Sequence, residues 1–325
     1  MCLRLKCRLV AASFPRDSRD PDNMEKPRHL LFISIVLLLV VVFSNPLWAL
    51  VRVAVQRDEY SHTVLIPLIA ICLIYWQRAE LFDRSKPSFG YAGLFVGLAG
   101  LMLYAVGSGS GLALLQQSDP PSAAIAGLVI ACIGAFIFSY GWRTFWRAVF
   151  PLGFLLLMIP LPDLLLSKIV YYLQVGSSDT AALILRLCDV PFFREGFIFR
   201  LPGISIEVAQ ECSGIRSSTA LLITIILAAN FMLRSNWRRL LLCVLVLPIS
   251  LAKNGVRIAT LSMLSVYVDR AFLFGRLHRS GGFIFFFLGL ALFWPVLRLL
   301  QRGEARNISA ARKNHFSEAT ADSGA

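Results

Sequence analysis

The sequence predicts an all-α polytopic membrane protein: about eight transmembrane helices, with a short extracytoplasmic hairpin/loop region ahead of Cys212. Three observations predict it. Hydrophobic residues make up 57% of the 325-residue chain and charged residues only 16%, against roughly 45–50% and 25% in soluble domains. Mean hydropathy is +0.69. Apolar runs approaching the ~20 residues that cross a bilayer recur along most of the chain. This balance excludes an ordinary soluble enzyme and a disordered chain.

The expected spans are 30–51, 62–77, 89–107, 122–141, 145–161, 217–234, 240–260 and 281–300. The fifth is expected to kink at Pro151 and to be closed by Pro160 and Pro162. Residues 163–190 mix apolar pieces with Lys168, Asp179 and Arg186, so they either span or lie at the interface. Parity favours the interface. The short loops with Arg78, Arg84, Lys86, Arg143, Arg147, Arg238 and Arg239 then fall inside with both termini, as the positive-inside rule asks. Arg257, Arg270, Arg276 and Arg279 fall outside and run against that rule, which marks some of them as functional. Residues 191–216 differ from the rest: FIFRLPGISIEV alternates around a Pro-Gly turn and reads as a β-hairpin.

Three regions follow: a cytoplasmic leader over 1–29, a membrane domain over 30–300, and a polar, mobile cytoplasmic tail over 301–325. The leader's apolar stretch is too short for a signal peptide, and Met24 is an alternative start. The net charge of +13 reads as basic cytoplasmic loops rather than a nucleic-acid surface. No cofactor is implied, and no Cys spacing suits a structural metal.

Cys72, Cys132 and Cys243 lie inside spans as small packing residues. Cys188 and Cys212 lie outside, where a disulfide between them is one alternative. Cys212 stands apart, in EVAQECSGIRSS (Glu207 to Ser218) just before an apolar helix. A thiol at a helix N-terminus near an arginine is favoured as the nucleophilic thiolate. Arg216 follows four residues on, and the plain alternative is a helix-capping cysteine. In PISLAKNGVRIATL, Asn254 and Arg257 share a helix face, with an interfacial, snorkelling arginine as the plain reading. His278 precedes the last span and is by itself an interfacial histidine. Cys212, Arg257 and His278 arrive from separate segments on one membrane side. Asp58, Glu59, Tyr60 and His62 open the second span and form either a polar-ligand site or an interfacial belt.

YSHTVLIP, PLGFLLLMIPLP, IEVAQECSGIRSS, AKNGVRI and LHRSGG stand in the order found in the exosortase/archaeosortase family, which the chain resembles over about 30–300. The resemblance implies a bacterial inner-membrane cysteine transpeptidase or protease with an extracytoplasmic active site. Its substrates are proteins with a C-terminal PEP-CTERM-type signal, made of a short motif, a transmembrane helix and a basic tail, in exopolysaccharide-producing bacteria. Its catalytic residues fall on Cys212, Arg257 and His278. The archaeal branch has Arg for the His, so His278 indicates the bacterial branch. Arg216, Asn254, Glu207 and His62 are expected to bind substrate or support the site, Arg216 by pairing with an acidic residue of the signal. Lys253 has no family role. Gly93, Gly97 and Gly100 suit close helix contact, either with a substrate helix or among the chain's own helices. The partners implied are the membrane, the signal-bearing proteins and an unidentified acceptor nucleophile. A transporter or export component is the competing class; it places ionisable residues at the bilayer midplane, often on broken helices.

Overall fold

The computed structural model describes residues 21–82, 89–108, 121–269, 271–274 and 282–322. They are almost entirely helical and divide into two compact units. One holds described residues of 1–48, 67–113 and 123–159; the other holds those of 49–66, 114–122 and 160–325. Five helices are long and apolar enough to cross a membrane, or up to seven if each of two bent pairs is one span, and Ala92–Gly107 is a shorter apolar helix. The chain is an all-α polytopic membrane protein, though these lengths do not reach the expected eight.

The first span is not straight. Helix α1 (Pro21–Val42) gives way to α2 (Ser44–Gln56) at a bend of 71°. Pro46 in the first turn of α2 explains the break, because its ring cannot continue the ladder from α1. Helix α3 (Leu65–Phe82) follows a short 3-10 turn at Asp58–Tyr60.

Helices α4 (Ala92–Ser108) and α5 (Ser122–Arg147) touch backbone to backbone. A Cβ on Gly100 would sit 2.6 Å from Ala131 N, and one on Gly127 2.6 Å from Gly100 O. Gly93 meets Gly134 and Phe138 in the same way, and a Cβ on Gly134 would strike the backbone of Gly93 and Gly97, although one on Gly97 itself would meet open space. The glycine stripe is therefore used among the chain's own helices. Within α5, Gly141 breaks the helix with φ 82°, a region open to glycine.

Pro151 does not kink a helix as expected. It lies in the first turn of α6 (Val149–Phe154), where a missing N–H costs nothing. A 3-10 turn ends at Met158, and Pro162 caps α7 (Asp163–Leu187). Helix α7 is unbroken for 25 residues, about 37 Å at 1.5 Å per residue. Its buried face runs Val170, Leu173, Gln174, Ser177, Ser178, Ala181, Ala182, Leu185, a 3.6-residue period whose polar members pack against protein.

The hairpin is present with one strand more than expected. Strands β1 (Phe193–Glu195), β2 (Ile198–Leu201) and β3 (Ile204–Glu207) form an antiparallel meander. Gly196 and Gly203, both at positive φ, make its turns. Phe199 and Leu201 alternate inward, onto Ala181, Leu185, Ile258 and Ala259. Helices α8 (Ile215–Met232), α9 (Asn236–Val244), α10 (Val246–Tyr267), α11 (Ala271–Phe274) and α12 (Gly282–Asp322) complete the chain. Helix α12 continues to Asp322, through a stretch that holds the helix formers Ala, Arg and Glu.

Candidate active site

The site is built where β3 hands over to α8. After Glu207 the chain makes a 3-10 turn over Gln210–Ser213, with Cys212 N donating to Ala209 O at 2.9 Å. Gly214 then adopts φ 80°, ψ 12° and caps α8. Cys212 thus sits immediately before the N-terminus of an 18-residue helix, where unsatisfied N–H groups and the helix dipole favour negative charge. It is half-buried against the cluster holding Ala181, Val208 and Ile258.

Two side-chain amides hold this segment, one from each of two packed helices. Gln174 of α7 donates to Val208 O. Asn254 of α10 donates to Cys212 O at 2.9 Å. Asn254 is 1% exposed. A Cβ on Gly214 would come within 2.8 Å of Asn254 Cγ. Glycine is therefore required at 214 twice, for positive φ and for the amide's approach. Gly255, beside Asn254, lets α10 close on Thr180 of α7, and a Cβ there would sit 3.2 Å from Ala181 N.

Arg257 lies half-buried one turn beyond Asn254 on α10. Arg216, in the first turn of α8, is exposed and pairs with Asp58 at 2.8 Å. That aspartate belongs to a segment fastened at two further points. Arg57 donates to Asp163 at 2.7 Å, and the carboxylate raises the Arg57 pKa above its ordinary value. The buried Tyr60 donates its hydroxyl proton to Leu161 O at 2.7 Å.

The structure thus joins Cys212 to Asn254, and Arg216 to Asp58. Glu207 is exposed at the end of β3, in register with Ile198. His62 stays half-buried in the turn after Tyr60. His278 lies outside the described residues, as do Arg270, Arg276 and Arg279. Cys188 and Cys212 are not joined in a disulfide, so that alternative does not hold; Cys188 instead ends α7 with its N–H bonded to Ile184 O.

Gln174 and Ser217 were not singled out from the sequence. Gln174 had a legible signal: with Ser177 and Ser178 it forms a polar stripe at helical spacing inside an apolar segment. Ser217 had none, because its importance comes from Lys253, 36 residues away.

Residues 48–295, well over half of the chain, match the family described as Transmembrane exosortase (Exosortase_EpsH). No curated protein matches, and no solved structure does.

Proposed function

Since the chain belongs to the transmembrane exosortase family, we propose that it is a cysteine transpeptidase or protease acting on C-terminal PEP-CTERM-type sorting signals, passing the protein to an acceptor through a thioester. At family level it is a membrane-embedded sorting enzyme with several membrane-spanning helices. The observation that carries the finer reading is the Asn254 hydrogen bond to the Cys212 carbonyl at a glycine-made helix N-terminus. It holds the backbone that carries the thiol beside a helix N-terminus, where a negative sulfur is electrostatically favoured.

The chemistry is acyl transfer. The Cys212 thiolate attacks the scissile carbonyl carbon, and the C=O electron pair moves onto oxygen. Arg257 stabilises that oxyanion. His278 takes the thiol proton and returns it to the departing amine as the C–N bond breaks. The remaining thioester is resolved by an acceptor nucleophile or by water, which restores the thiol. Arg216 receives an acidic residue of the signal, exchanging Asp58 for the incoming carboxylate. The basic inner loops support an inner-membrane protein with this site on the extracytoplasmic side.

The test is co-expression with a candidate signal-bearing membrane protein, followed by immunoblot and terminal mapping of the product. A shorter product that appears with wild type and not with Cys212→Ala supports the reading. Identical processing in Cys212→Ala removes it. A second reading, transport, has its own support in the two bent helix pairs and in the ionisable Lys253 buried within α10. It gains weight if no Cys212-dependent product forms while both proteins reside in the membrane.

A further inference from the structure

Lys253 is among the largest fully buried side chains, 1% exposed, in the middle of a membrane-spanning helix. Burying an ammonium there is costly. Among the described residues its partner is not a carboxylate. Nζ donates to Ser217 Oγ at 2.6 Å, and Ser217 Oγ donates in turn to Gly214 O at 3.0 Å. The chain makes room for it: a Cβ on Gly289 of α12 would sit 3.3 Å from the lysine Cδ and 3.2 Å from Leu221. Two adjacent residues of α10 therefore reach one turn by different routes, Asn254 through the Cys212 carbonyl and Lys253 through Ser217 and the Gly214 carbonyl.

We propose that Lys253 is a positioning residue of the nucleophile turn, its buried amine clamping the 212–217 segment through Ser217 and, in its ammonium form, adding positive charge that favours the Cys212 thiolate. The inference rests on the thiol reading above. In its ammonium form the charge adds to the positive end of α8, and the low dielectric around it strengthens its field. The other charged groups nearby are Arg257, one turn on along the same helix, and Arg216, which is paired with Asp58. The buried faces of α7 and α12 are uncharged. A lysine held only for packing has no reason to end on a serine inside the CSGIRSS turn.

The test reads the thiol directly. The full chain, with every cysteine except Cys212 changed to alanine, is labelled in membranes by iodoacetamide across a pH series. The rate–pH midpoint of Lys253→Met is expected to move upward, with labelling at pH 7 about tenfold slower than the parent, since the thiolate is the reacting form. Lys253→Arg keeps the charge and is expected to stay near the parent midpoint. Ser217→Ala cuts the link while leaving the charge, and is expected to fall between. A Lys253→Met profile that superimposes on the parent overturns the inference. If that variant fails to accumulate, a Ser217→Ala profile identical to the parent does so. A parent thiol no more reactive than free cysteine overturns both the inference and the thiol reading, whereas a reactive parent thiol with unchanged variants overturns the lysine alone.

Discussion

Two helix seams of this chain are made differently. Helices α4 and α5 meet through Gly93, Gly97, Gly100, Gly127 and Gly134, where backbone lies on backbone. Helices α7 and α10 meet through Gly176 and Gly255, and these two helices also bury the polar Gln174, Ser177, Ser178 and Asn254. In lipid the first kind of seam needs nothing else, because close approach and dispersion hold it. The second carries polar groups at a cost, and two of its amides end on carbonyls at either side of Cys212's turn. A glycine seam brings helices together; a polar seam also presents something.

That contrast is open to test. The largest effect is expected at the reacting groups: Arg257→Ala loses at least ~100-fold in processing rate if Arg257 is an oxyanion donor, measured per molecule of enzyme in the membrane. A loss under about threefold breaks its assignment. Gly214→Ala is expected to cost about 1–3 kcal/mol from positive φ alone, with Asn254 displaced as well, so both abundance and processing fall. Gly134→Val overpacks the glycine seam by roughly 1–3 kcal/mol; abundance drops while processing per surviving molecule stays near wild type. Asn254→Ala is the mirror case, with abundance near wild type and processing down about fivefold, the size of one lost hydrogen bond near 1 kcal/mol. If Gly134→Val changes the rate per molecule and Asn254→Ala does not, the division between the seams is wrong. The smallest effect is expected from Arg57→Ala: its pair with Asp163 is exposed, worth about 1 kcal/mol or less, and a thermal-stability assay should barely register it.

Much of this was legible before any coordinates. The hairpin showed in the alternation of FIFRLPGISIEV, and the helix after CSGIR showed in an apolar run behind a glycine. The α1–α2 break was missed because SNPLW lies inside a run apolar enough to mask a proline stop. Segment 163–190 was ambiguous for another reason. Lys168, Asp179 and Arg186 interrupt its apolar pieces, yet α7 is one unbroken helix that buries Gln174, Ser177 and Ser178.

The residues themselves determined the class of the protein, since apolar runs of bilayer length have few other places to go. They also determined the motif order, and the glycine needed between a cysteine and its helix. Only the tertiary structure decided which side chains hold that cysteine. Gln174 and Asn254 lie 80 residues apart, and Lys253 lies 36 from Ser217. Local spacing reports what shares a turn or a face, whereas a hydrogen bond between helices depends on how their grooves mesh.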